Sequence, residues 1–378
     1  MSLGPHANDT NESEPSSSVN PWLIILLTAP VPLFLLVLLF VNWSNQKSEL
    51  HRVISQFEQR QNTALAYDAM SVAGNISDLL EKSARDVSIL ALVPPTAENF
   101  RQFHDRQMGT ITVYDRKKDT STVVPWTFYD RIAYVNEKGD TALELVEGKV
   151  ETRVRPLSAC RAKDLCDRDL IETALKLPEG KIRYGRLMRY YRPEGAPADD
   201  QGAGIWVAYR AAKGLFILGL DYRQLRDNLT DPTFPYRPKT DLLRDYKQGN
   251  YIYAVDADNN VILHPKYSNV IGIDRNTGEW VPPIVTDADE GTHPINIAAY
   301  QSGMLKEYFD RLLKKSFVEA GVDIFQADNL AGAKRVLSVV PISLSRGQYQ
   351  STGVFGHVVV GCSLDHFQEP KNKLIPYY

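Results

Sequence analysis

The sequence predicts an α+β protein: an N-terminal transmembrane helix, a long stalk helix, then two tandem units, each an antiparallel sheet flanked by helices. Three observations carry this. Trp22–Val41, WLIILLTAPVPLFLLVLLFV, is twenty residues without a charge. Ser44–Leu92 keeps an apolar three-and-four spacing. Two strand–turn–strand patterns, around Val135–Asp140 and Val255–Asn260, recur 120 residues apart.

The apolar run is long enough to span about 30 Å as a helix, and Trp22 and Trp43 suit its two interfaces. No face of it is polar, which argues against a buried core helix. The basic start of a cleavable leader is missing, so residues 21–43 are expected to be a signal anchor. Residues 1–20, polar and without Lys or Arg, are expected to be a disordered tail. Lys47, Arg52 and Arg60 follow the span and no cation precedes it. A strict charge count therefore puts the large C-terminal part in the cytoplasm, although that rule is weakest for long translocated domains.

In the next segment Leu50, Val53, Ile54, Phe57, Ala64, Ile76, Leu79, Leu80 and Val87 fall on one helical stripe, and Pro94-Pro95 ends it. A helix over 44–92 extends about 70 Å, more than one domain is wide. It can lie along two stacked domains, and its membrane end can pair with a second copy to make a homodimer.

Beyond a short helix at Asn99–Met108, Tyr129–Leu145 reads as a hairpin. Arg168–Leu177 reads as a helix, and Lys181–Arg192, Gly204–Ala212 and Gly214–Tyr222 as strands. Tyr251–Val255 and Val261–Leu263 flank the cluster Asp256-Ala-Asp-Asn-Asn260, a second hairpin signal. Leu220-Asp221 and Leu364-Asp365 close the two segments 144 residues apart. Two landmarks in the same order imply a tandem repeat, 93–229 and 230–367, joined by the proline-rich linker DPTFPYRPKTD and followed by a tail, 368–378.

The 378 residues carry 24% charged and 43% hydrophobic side chains and a net charge of −3, so no basic field argues for nucleic acid. Of three cysteines, Cys362 falls in an apolar strand. Cys160 and Cys166 share a polar loop, where a small disulfide and two free thiols are equally open readings. Asp256, Asp258 and Asn260 imitate half a calcium loop, but Val261 and Tyr267 stand where Gly and Glu are needed, so turn chemistry is the better account. No metal or cofactor is expected, and no catalytic motif argues for an enzyme.

Tyr251–Gly272, YIYAVDADNNVILHPKYSNVIG, combines an Asp/Asn hairpin, a His-Pro stop and a closing glycine. With the long helix and the tandem units, this resembles the double Cache family of PAS-like extracytoplasmic sensor domains, over about residues 44–367. Asp221 and Asp365 are a second, weaker match. The resemblance implies a membrane-anchored, periplasmic, usually dimeric sensor of a small molecule, its ligand more often in the membrane-distal unit. Family members continue into a second span and a cytoplasmic transmitter; the sequence stops where that span is expected, so the resemblance implies either a fragment of a longer receptor or output through a separate kinase or chemoreceptor partner. The Arg-x-Trp-Tyr stretch of amine-sensing members is absent, which does not support an amino-acid ligand. The competing reading is a ligand-free scaffold that reuses the fold.

Strand alternation in Lys181–Arg192 puts Ile182, Tyr184, Arg186, Met188 and Tyr190 on one face and aims Arg186 inward, toward a protein or ligand carboxylate. A snorkelling or internally paired arginine is the plainer alternative. Trp126, Tyr129 and Arg131 enter the first hairpin and are expected to line the same cavity, with strand packing as their alternative role. Tyr251, Tyr253 and Asp365 are the comparable positions in the second repeat.

Overall fold

The computed structural model describes residues 30–115, 120–151, 153–193, 204–225, 251–264, 266–286, 289, 291–299, 323–328 and 334–364. One helix, α1 (Pro30–Leu90), runs 61 residues without a break at the expected anchor–stalk boundary. It is followed by α2 (Ala97–Arg106), whose N-cap Thr96 accepts the Asn99 N–H. Residues 22–29 of the expected span lie outside the described residues. Among those that are described, no helix is long and apolar enough to cross a membrane. The part of α1 before Gln59 belongs to a separate compact unit, and there every side chain from Leu33 to Val41 is exposed.

Residues 59–373 form one compact unit that holds both sheets. The first sheet takes the order β5-β4-β3-β8-β7-β6. Its strands are β3 (Tyr129–Asn136), β4 (Thr141–Val146), β5 (Lys149–Glu151), β6 (Ile182–Met188), β7 (Gly204–Ala211) and β8 (Gly214–Asp221). The second runs β10-β9-β13-β12-β11, from β9 (Tyr251–Asp256), β10 (Val261–Leu263), β11 (Asp323–Asp328), β12 (Lys334–Ser343) and β13 (Val354–Ser363). Without the short edge strand β5, the two orders are the same. An unanticipated hairpin, β1 (Met108–Asp115) with β2 (Thr120–Thr127), forms a separate two-stranded sheet. The expected boundary at 229–230 lies outside the described residues.

The repeat is visible atom by atom at the two hairpins. Asn136 Oδ1 accepts the N–H groups of Lys138 and Asp140 at 2.9 and 3.0 Å. Asp256 Oδ1 accepts those of Asp258 and Asn260 at 3.0 and 2.9 Å. In each turn the fourth residue, Gly139 or Asn259, takes positive φ, which glycine and asparagine tolerate best. Asn136 then faces Gly214, as Asp256 faces Gly356. This register is two residues shorter than the spacing suggested by Leu220-Asp221 and Leu364-Asp365. A slip of two keeps every side chain on its face, so the error was invisible to alternation. Asp365 itself lies outside the described residues.

Leu65, Ala69, Val72, Ala73, Ile76, Leu80, Ala84 and Val87 are buried along α1 and share one core with both sheets. Polar ties reinforce the stripe: Ser77 Oγ donates to Ser343 C=O, Arg346 pairs with Glu81, and Tyr129 Oη donates to Asp86. The opposite face of the first sheet packs Ala133, Val135, Trp206, Ala208, Leu215 and Ile217 against α3 (Arg168–Leu175) and the loop before it. Cys160 and Cys166 are joined there by a disulfide. Cys362 is buried in β13.

Candidate functional site

Of the six residues expected to share a cavity, Tyr129 and Tyr184 lie together on the α1 side of the first sheet, whereas Arg131, Arg186 and Tyr190 lie elsewhere. Tyr129 and Tyr184 both face α1: Tyr184 Oη donates to Leu80 C=O at 3.0 Å, and burial raises both phenols above their ordinary range. Tyr190 caps another cluster, its hydroxyl donating to Lys163 C=O and its ring lying under Arg275. Trp126 sits in β2 opposite Gly109, with its side chain outside the described residues.

Arg186 corrects the alternation. The β6–β7 register shifts between Tyr184 and Leu187, leaving two residues, Gly185 and Arg186, against one on β7. This β-bulge reverses the phase, so Leu187 rather than Arg186 turns into the core. The Arg186 side chain is 59% exposed and stands 3.7 Å from Asp258. Of the second-repeat positions, Tyr253 is core, tilted against His264. The side chain of Tyr251 is outside the described residues. Burial holds the His264 imidazole down at about 3, and its Nδ1 accepts the Lys266 N–H, a local turn role.

Arg131 leads to a different site, on the face away from α1. There β3 carries its own bulge: Tyr129 pairs with Leu220 and Arg131 with Gly219, so Asp130 is the extra residue. The bulge turns the Asp130 carboxyl over Gly219. A Cβ there would lie 2.6 Å from Asp130 Oδ1 and 3.3 Å from the Trp206 ring, so the missing side chain is what makes room. The Arg131 guanidinium stacks on Trp206 at 4.7 Å. Its Nη1 stands 2.9 Å from Glu144 Oε1, an ion pair not aligned as a hydrogen bond; Arg155 holds the other Glu144 oxygen at 3.1 Å. Beside them Asp221, fully buried, is gripped by Arg223 through Nε and Nη2.

This cluster leaves buried polar atoms without hydrogen bonds among the described residues: both Asp130 oxygens, Arg131 Nε and Nη1, and Trp206 Nε1. Such atoms are rare because each forfeits a hydrogen bond to water on burial. Here they occur together, at one end of one sheet face. Burial, reinforced by the Asp221 charge, pushes the Asp130 carboxyl up to about 8, against the opposing pull of Arg131 and Arg223. The site thus offers indole and guanidinium donors and, at neutral pH, an un-ionised carboxyl.

The raised Asp130 value has a direct consequence. The folded state holds a proton that the unfolded chain releases near the ordinary carboxylate value of 3.8, so stability falls as pH rises from there through about 8. Asparagine does not titrate. Asp130→Asn is therefore expected to gain in melting temperature relative to the parent between pH 4 and pH 8.5, as measured by calorimetry. An unchanged difference would mean an ionised Asp130.

Composition alone did not single out this cluster. Asp130 and Glu144 each interrupt an apolar strand with a charge, in YDRIAYV and TALELV, and that was the available signal.

No protein-family model matches the sequence, and no curated protein matches it. Solved structures do. The chain is similar to the periplasmic sensory domain of the Campylobacter jejuni chemoreceptor Tlp1, at 12% identity over 83% of this chain and 99% of that one, TM-score 0.48. It is similar to the ligand-binding domain of the amino-acid chemoreceptor PctC of Pseudomonas aeruginosa PAO1, in complex with GABA, at 14% identity over 78% and 96%, TM-score 0.38. A third is the ligand-binding domain of the Pseudomonas fluorescens chemoreceptor CtaA in complex with L-valine, at 12% identity over 81% and 98%, TM-score 0.37. All three are sensory or ligand-binding domains of chemoreceptors.

Proposed function

We propose that this protein is a double-Cache sensor that binds a small organic anion at Asp130, Arg131 and Trp206 and reports through α1. The observation that carries the reading is the group of buried, unbonded donors beside an un-ionised carboxyl. A ligand carboxylate accepts from Trp206 Nε1 and Arg131 Nε and receives the Asp130 proton as a hydrogen bond, which satisfies three of the five atoms. Ligand then favours one packing of the first sheet over another, and α1, fixed to both sheets, carries the shift toward the membrane.

Anchoring through residues 21–43, pairing of two copies through α1, and output through a separate kinase or chemoreceptor belong to the same proposal. The exposed apolar run Leu33–Val41 supports the anchor. The Cys160–Cys166 disulfide supports an oxidising, extracytoplasmic location.

Thermal-shift screening of the full chain in detergent against carboxylates, amines and nucleobases tests the ligand class. A carboxylate is expected to raise the melting temperature, and Trp206→Phe to reduce that shift. Affinity is expected to weaken as pH passes about 8, where Asp130 ionises and repels the anion. No stabilising compound, or affinity that strengthens with pH, would refute an anion site.

A further inference from the structure

A second site lies outside this cluster. A cleft of about 200 Å³ opens between β6 of the first sheet and the Asp256–Asn260 turn of the second, walled by Arg183, Arg186, Asp258, Tyr349 and Phe355. The β6 bulge that turned Arg186 out of the core turns it into this cleft. The formal charges of the lining balance, Arg183 and Arg186 against Asp256 and Asp258, but the two carboxylates are not equally engaged. Asp256 is committed to its own turn, its Oδ1 accepting two backbone N–H groups. The Gln348 amide is likewise committed, accepting the Tyr184 N–H and donating to the Tyr184 C=O.

Arg183 and Arg186 line the cleft with Asp258, the one lining carboxylate whose oxygens accept no hydrogen bond among the described residues. Arg186 stands 3.7 Å from it, too long for a hydrogen bond, with both side chains more than half exposed. Arg183, half-buried, makes no hydrogen bond or ion pair among the described residues. Tyr349 and Phe355 meet edge to face at 5.3 Å and give the cleft an apolar wall.

We infer that this cleft binds a small carboxylate with an apolar body: the carboxylate bridges Arg183 and Arg186, and the body lies on Tyr349 and Phe355. Bidentate guanidinium–carboxylate pairing fits the first half of that description, and ring packing the second. The volume is below the usual range of about 300–1,000 Å³ for ligand pockets, so the occupant is small. Because the walls come from both sheets, an occupant latches β6 to the second-repeat turn. The inference does not depend on the cluster at Asp130.

Benzoate is a suitable probe, with acetate and benzylamine as controls for the body and the charge. Calorimetric titration of the full chain at constant ionic strength should show saturable benzoate binding, weaker acetate binding and none for benzylamine. Arg183→Ala and Arg186→Ala should each weaken benzoate at least tenfold with unchanged circular dichroism. Asp258→Asn, which removes the competing carboxylate, should strengthen it several-fold. Trp206→Phe should leave it unchanged, which separates this site from the first. Absence of saturable benzoate binding, binding that survives both arginine substitutions, or weakening by Asp258→Asn would overturn the inference.

Discussion

Glu144→Ala is expected to destabilise the folded chain by about 3–5 kcal/mol, the cost of breaking a buried ion pair from one side. Among the described residues Glu144 is the only carboxylate in an ion pair with Arg131, and it also holds Arg155, so its loss strands a buried guanidinium and releases a half-exposed one. In the intact cluster Asp130 does not share this role, because burial raises its carboxyl to about 8. Urea denaturation at pH 7 measures the loss. Replacing Arg131 and Glu144 together by Met and Leu is expected to cost less than Glu144→Ala alone, since no uncompensated charge remains. Equal or greater loss in the double variant would show that the pair is worth more than its desolvation penalty.

Gly356→Ala is expected to cost about 3 kcal/mol, the upper end of overpacking penalties. A Cβ at that position would lie 1.9 Å from the Val255 carbonyl oxygen, and backbone cannot swing aside as a side chain can. The equivalent Gly214 meets the Val135 carbonyl at 2.1 Å, so Gly214→Ala should behave alike. The two substitutions thereby test the repeat itself: they sit opposite Asp256 and Asn136, the first residues of matching turns. A urea midpoint that stays in place for either would mean that the strands part there more easily than the register implies.

What could be read from the sequence divides along physical lines. Signals of short range were legible. The Asn136 and Asp256 turns are local hydrogen-bond chemistry, and the α1 stripe is a simple 3.6-residue period. The bulges at Asp130 and at Gly185–Arg186 were not, because each is fixed by the partner strand rather than by its own sequence. Each changes which side chain faces inward. That is why Arg186 was expected to be buried and is exposed, and why Asp130 was passed over beside Arg131. The hairpin β1–β2 was missed for a different reason: its strands carry the β-branched residues of GTITVYD and TSTVVPWT, but a run of charges, DRKKD, separates them. The disulfide was a matter of distance in three dimensions, with Cα atoms 5.4 Å apart, and no count of cysteines decides that.

The claim at the centre of this account is that Trp206 Nε1–H waits, unbonded and buried, for a ligand acceptor. The indole N–H resonance of Trp206 reports on this directly; among the five tryptophans of the chain it is assigned by its loss in Trp206→Phe. Titration with a carboxylate that stabilises the protein should move that resonance downfield, saturating with the same affinity as the thermal shift, and slow its exchange with water. A resonance that stays in place while a carboxylate still binds and stabilises a chain carrying Arg183→Ala and Arg186→Ala would contradict the account and put the ligand elsewhere.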